Sequence, residues 1–199
     1  MKISYNDYQL ITRETSGCDD IRVLALGLIG ETSELIESFE NLSAPSKKLP
    51  LVVLTKCVSK EIGDILWYAA RLYDVLDENF EDWQNFGNVC NFKTNVIDKN
   101  FVMRILKHAA AVSEHVKKVT GHGHELDHKK MMDSLSNVVR DCKQVAHALY
   151  GKNGLEIIMK ENVEKLSARY PDGFTTERSK NRNLDDVGIE TFILQKREK

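Results

Sequence analysis

The chain has 199 residues, a formal net charge of −2 and 42% hydrophobic residues. That is enough for one sizeable domain or two small ones, and the charge speaks against a basic nucleic-acid-binding surface. No apolar run approaches the roughly 18–20 residues of a membrane-spanning helix, and the opening MKISYNDYQLITRE is too polar for a secretory signal.

The N-terminal stretch from Asp7 to Thr15 reads as a short amphipathic helix, with Tyr8 and Ile11, and at the margin Leu10, facing inward. Asp19 or Asp20 can cap the next helix, because a carboxylate there satisfies a free backbone N–H. That helix runs to about Asn41. LSAPSKKLP at 42–50 is a loop, since Pro45 and Pro50 forbid helix continuation. Pro50 suits the entry of a helix over 51–76. Residues 77–99 hold Trp83, Phe86, Phe92 and Gly87 and read as a broken helix and connection. Helices are expected over 101–119, 128–150 and 155–169, with GHGHELD at 121–127 as a turn. Pro171 and Gly173 end the regular structure, and the polar tail keeps one apolar patch at Ile189, Phe192 and Ile193. No proline lies between residues 51 and 170, and no strand is compelling. Cys18, Cys57, Cys90 and Cys142 are scattered without a CxxC, which reads as free thiols in a reducing cytoplasm.

Two of these helices carry the same design. In LALGLIGETSELIESFE (24–40), a wheel of about 100° per residue puts Leu24, Leu28, Leu35 and Phe39 within about 60° of one another. Glu31 falls at about 340°, inside that stripe, and Glu34 at about 280°, on its edge. In LTKCVSKEIGDILWYAA (54–70), Glu61 and Asp64 take the same two angles against Leu54, Val58, Ile65 and Ala69. An inward carboxylate must be protonated, paired or bound to a metal. With no basic residue at matching heights on the two helices, four converging carboxylates read as a site for a hard divalent cation such as Mg²⁺. A lone ExxE is more often a solvated surface pair, but two pairs in register with apolar stripes favour the inward reading. Glu37, at about 220°, points to solvent.

A shift of 77 residues lays the first half on the second without a gap. Asp64 falls on Asp141 and Leu72-Tyr73 on Leu149-Tyr150, while His108, Ala111 and Val138 replace Glu31, Glu34 and Glu61. The second half repeats the helical hairpin but loses three of the four acids, which leaves Asp141 for structural pairing. Two hairpins packed together make a four-helix core. His122, His124 and His128 could suggest zinc, but no cysteine lies near. Trp67 reads as a packed aromatic rather than a stacking platform.

Glu31-Thr-Ser-Glu34 and Glu61-Ile-Gly-Asp64, with flanks GLIGETSELIE and KEIGDILWYAARL, resemble the MazG-like all-α nucleoside triphosphate pyrophosphohydrolases. Relatives of that group are the dimeric dUTPases, the dCTPases and phosphoribosyl-ATP pyrophosphohydrolase. The opening YQLITRET, the turn GHGHELD and the segment NVEKLSARYPDGFTTERSKNR from Asn162 add to the resemblance, which spans most of residues 4–183. One departure stands out. The Asn-x-x-Lys pair expected after the acid-bearing hairpin is missing at Asn85 to Asn88, and Asn162 and Lys165 follow the second hairpin instead.

The resemblance implies one all-α domain over 1–199. It would comprise an acid-bearing hairpin at 20–78, a degenerate hairpin at 100–150 serving as scaffold and substrate wall, and a phosphate-contacting helix and tail at 155–183, with further helices at the termini. It implies Mg²⁺, with Mn²⁺ as a substitute, held by Glu31, Glu34, Glu61 and Asp64. One of the glutamates can instead orient the attacking water. Asn162, Lys165, Arg169, Tyr170 and Arg182 would contact the substrate. The implied reaction releases a nucleoside monophosphate and pyrophosphate, in nucleotide-pool control in the cytoplasm. Base and sugar specificity, and the choice between monomer and homodimer, stay open. Two other readings compete: a nucleotide-binding regulator with little turnover, and a purely structural bundle.

Overall fold

A computed structural model describes residues 3–43, 50–78, 80 and 97–180. These residues form helices α1 (Tyr5–Glu14), α2 (Ile21–Ser43), α3 (Leu51–Val75), α4 (Lys99–His122), α5 (His128–Tyr150), α6 (Gly154–Arg169) and α7 (Thr176–Lys180), with no strand among them. The fold is all-α. Pro45, the aromatic stretch with Trp83, Phe86 and Phe92, Cys90, the Asn85 to Asn88 segment, Arg182 and the patch at Ile189, Phe192 and Ile193 lie outside the described residues.

Local chemistry sets the helix ends. Ser4 and Asp7 form a capping box that starts α1 two residues earlier than expected: Asp7 N–H donates to Ser4 Oγ at 3.0 Å, and Ser4 N–H to the Asp7 carboxylate at 3.3 Å. Asp20, not Asp19, serves the start of α2, accepting from Arg22 N–H at 2.9 Å. Asp19 pairs with the buried Arg71 of α3 instead. Helix α4 continues through Gly121 and His122, so the turn begins only at Gly123, whose φ of 67° suits a residue without Cβ. The tail is not wholly irregular, because α7 forms after Thr175, whose Oγ1 accepts from Arg178 N–H at 3.2 Å. Leu10, expected near the inward face of α1, is 54% exposed.

The contacts pair α2 with α3 and α4 with α5, and the two pairs meet through α2 on α4 and α3 on α5. Leu24, Leu28 and Leu35 of α2, Val58, Ile62 and Ile65 of α3, Ile105 and Val112 of α4, and Leu135 and Val138 of α5 share one core. Removing this apolar surface from water is the main drive for the packing. Helices α1 and α6 lie against α3, and α6 also lies against α5. Residues of α1, α2, α3 and α6 thereby converge around the middle of α3. Cys18, Cys57 and Cys142 are free thiols.

Candidate metal centre

Glu31 and Glu34, one turn apart on α2, face Glu61 across the α2–α3 contact. One oxygen from each of the three lies within 4.8 Å of the others. Close approach of the helices is possible because Gly27 has no side chain; a Cβ there would sit 2.1 Å from the Tyr68 ring of α3. Glu61 is 5% exposed, and its Oε2 is buried without a hydrogen-bond partner. Its other oxygen, Oε1, lies 3.5 Å from Lys60 Nζ. Burial first, then the negative charges of Asp64, Glu34 and Glu61, push Glu31 up to about 8, against a partial offset from Lys165. Burial also pushes Glu61 up to about 7; Lys60 and Lys165 pull it down, while Asp64 and Glu34 push it up. Oxygen donors without nitrogen or sulfur, crowded and with one oxygen orphaned, fit a hard cation.

The fourth acid is arranged differently. Asp64 accepts from Asn162 Nδ2 at 2.8 Å and is ion-paired with Lys165, both on α6. The expectation of acids without basic partners therefore needs correction. Lys60 of α3 itself approaches Glu61, and the wheels of two helices could not anticipate a third, α6, which tertiary packing lays beside them. Asn162 is 4% exposed, and its Oδ1 lies 2.9 Å from the Tyr8 hydroxyl of α1. Both ends of its amide are thus occupied inside the protein, rather than presented to a phosphate. Burial holds the Tyr8 phenol well above its usual range.

A cavity of about 210 Å³ opens beside the acids. Glu31, Glu34, Asp64, Lys60 and Arg169 line it together with four aromatics, Trp67, Tyr68, Tyr170 and Phe174. Thr15, Gly17, Leu166 and Ser179 complete the wall. Trp67 is half-buried; its Nε1 donates to Thr15 Oγ1 at 3.0 Å, and its ring meets Tyr68 edge-on at 4.9 Å. It is packed, as expected, and it also faces the cavity. Tyr170 and Phe174 sit 5.3 Å apart, and Phe174 lies so close over Gly17 that a Cβ there would be 2.2 Å from it. The Arg169 guanidinium lies 5.9 Å from the Tyr170 ring centre.

Sequence reasoning passed over Lys60, Thr15, Gly17, Tyr68 and Phe174. Lys60 and Trp67 had a signal: on α3 they stand one residue before Glu61 and one turn after Asp64. Phe174 had one only in the resemblance of the RYPDGF segment, since its part in the wall depends on how the chain runs after α6.

Helices α4 and α5 contribute nothing to the lining of this cavity, so the second hairpin is not a wall of it. At the position matching Asp64, Asp141 is 0% exposed and accepts two bonds from Arg104, at 3.0 and 3.1 Å. Arg140 approaches it at 3.4 Å. His108, in place of Glu31, is held below its usual range by burial. Guanidinium charge balances this acid from within the protein. Among the described residues, no histidine joins a candidate metal cluster; the His122 and His124 rings stand 6.2 Å apart, and His128 pairs with Glu78 at 3.3 Å. Glu37 is exposed. No helix of the described residues is long and apolar enough to cross a membrane. Comparison with protein-family models, with curated proteins and with solved structures found no match for this chain.

Proposed function

We propose that this protein hydrolyses a nucleoside triphosphate, a deoxynucleotide by preference, between its α- and β-phosphates in a reaction that depends on Mg²⁺. One observation carries the reading: a three-glutamate cluster with an orphaned buried oxygen lies beside a cavity lined by both cations and aromatic rings. Glu31, Glu34 and Glu61 would hold the cation, which when bound neutralises phosphate charge and acidifies water.

The residues divide the rest of the work. Lys60 and Arg169 supply positive charge to the phosphates, an ammonium as a point charge and a guanidinium as a fork. Lys165, now on Asp64, is within reach of the same region. Trp67, Tyr68, Tyr170 and Phe174 offer flat apolar faces to a base. A glutamate whose carboxylate is raised towards neutrality by burial is suited to accept the proton of the attacking water. Water adds to the α-phosphorus, the bond to the bridging oxygen breaks, and pyrophosphate departs with the electron pair. Phosphoryl transfer of this kind rests mainly on positioning and electrostatics. Helices α4 and α5 act as a scaffold, α4 packed on α2 and α5 on α3; we read them as a degenerate copy of the α2–α3 hairpin.

The test is incubation with Mg²⁺ and a panel of ribo- and deoxynucleoside triphosphates, including dUTP and modified bases. Products are resolved as mono- or diphosphates, with Glu61→Ala as the control. Monophosphate and pyrophosphate from the wild type alone support the proposal. Nucleotide-dependent stabilisation without turnover would make the protein a nucleotide-binding regulator instead.

A further inference from the structure

We propose that Tyr8 and Asn162 form a positioning relay for Asp64, running from α1 through α6 to α3, and that Asn162 is not a phosphate ligand. The inference rests on the pyrophosphohydrolase reading for its catalytic consequence, but not for the existence of the relay.

The geometry is specific. The Tyr8 hydroxyl is buried, 2.9 Å from Asn162 Oδ1 and 3.1 Å from the Gly63 carbonyl. A phenol has one proton, and both neighbours accept. The other end of the amide, Nδ2, donates to Asp64 Oδ1 at 2.8 Å. Turning the amide over would set Asn162 Oδ1 against the Asp64 carboxylate, acceptor against acceptor. Asp64 therefore fixes the orientation of the amide, and the Tyr8 hydroxyl donates to the oxygen that this orientation presents. The path is also cleared for it: a Cβ on residue 63 would lie 3.0 Å from both Cβ and Nδ2 of Asn162, so Gly63 lets the amide cross α3 to the next residue. Lys165, one turn further along α6, pairs with the same carboxylate oxygen.

Neither Tyr8 nor Asn162 lines the cavity, whereas Asp64, Leu166 and Arg169 do. Asp64 thus stands between an enclosed chain of hydrogen bonds and the space where substrate would sit. Asp64 lines the cavity beside the glutamate cluster, and groups bonded to such a carboxylate rather than to the ligand fix its orientation; their loss commonly costs about tenfold or more in activity or metal affinity. Buried as they are, water cannot replace either partner.

The experiment uses Tyr8→Phe, which keeps the ring, Asn162→Leu, which keeps the volume, and their double variant, assayed with Mg²⁺ and the best nucleoside triphosphate. Each single variant should lower kcat about tenfold with KM within about twofold, and the double variant should be no worse than the poorer single. A rise in KM with kcat unchanged, or losses that multiply, would overturn the relay.

A second measurement does not depend on turnover. In metal-free protein, Tyr8→Phe should lower Tm by about 2–5 °C, the scale of one buried hydrogen bond in a chain of this size. In an Asp64→Ala background, where Asn162 Nδ2 loses its acceptor and the amide is no longer oriented, the drop should at least halve. An equal drop in both backgrounds means that the Tyr8 hydroxyl acts through the Gly63 carbonyl alone, and the proposal fails. Wild-type protein that turns over no nucleotide would sink the pyrophosphohydrolase reading, and the unfolding comparison would then decide the relay by itself.

Discussion

Replacing Glu61 by glutamine should stabilise the metal-free protein at pH 8, although it removes a charge from the proposed active site. Glu61 is 5% exposed, and its carboxyl is raised from 4.5 to about 7. At about 1.4 kcal/mol per pKa unit, that shift sets an upper bound of about 3.5 kcal/mol on the cost of ionising it in the fold. Glu31 shares the same repulsion and Lys60 already offsets part of it, so about 1–2 kcal/mol is the expected gain. For a chain of this length that is a rise of about 2–8 °C in Tm.

The direction with pH follows from linkage. Between about 4.5 and 7 the native Glu61 keeps a proton that the unfolded chain has lost, so wild-type stability falls as pH rises through this window. Glu31 extends the fall to about 8. Thermal unfolding of chelator-treated wild type and Glu61→Gln, from pH 5 to 8.5, should show curves that are close at pH 5 and separate towards pH 8. Added Mn²⁺ should then raise the wild type and leave the variant nearly unchanged. A metal-free variant that is less stable than wild type at pH 8, or a gap that does not vary with pH, would refute the argument that these carboxylates are crowded for a cation.

Three further outcomes follow from the geometry. Trp67→Ala should raise KM for the nucleotide by about tenfold and leave the metal-dependent rise in Tm intact, because Trp67 lines the cavity without belonging to the glutamate cluster; steady-state kinetics and a metal titration separate the two effects, and loss of the metal response would count against this division. Gly63→Ala, whose Cβ would press on Asn162 at 3.0 Å, should fail to bring the gain of about 1 kcal/mol that alanine normally gives over glycine in a helix interior, read by denaturant unfolding; the full gain would show that α6 shifts freely. Asp141→Ala should destabilise by about 1–3 kcal/mol, tempered by the access of Arg104 and Arg140 to solvent, yet leave stabilisation by Mn²⁺ as in wild type; a lost metal response there would place the cation in the wrong hairpin.

The residues themselves determined the helices and the acid-bearing faces. Glu31 and Glu61 fall inside the apolar stripes of α2 and α3 because helical periodicity fixes angles along one helix, and angles along one helix can be read from spacing alone. The same reading placed Glu37 outside and left Asp141 for an internal pair, and both stand so. It missed the extension of α4 to His122 and the short α7, where a single backbone conformation or a threonine cap decides the boundary. What only the tertiary structure decided is which helices share a site. Spacing along α3 does not reveal that α6 brings Asn162 and Lys165 onto Asp64, or that α1 brings Tyr8 behind them. Nor does it reveal that the chain leaving α6 brings Tyr170 and Phe174 into the same cavity wall as Trp67, or that α4 and α5 stay clear of the cavity. Contacts between elements far apart in sequence depend on how several amphipathic faces pack at once, and no single helix carries that information in its own periodicity.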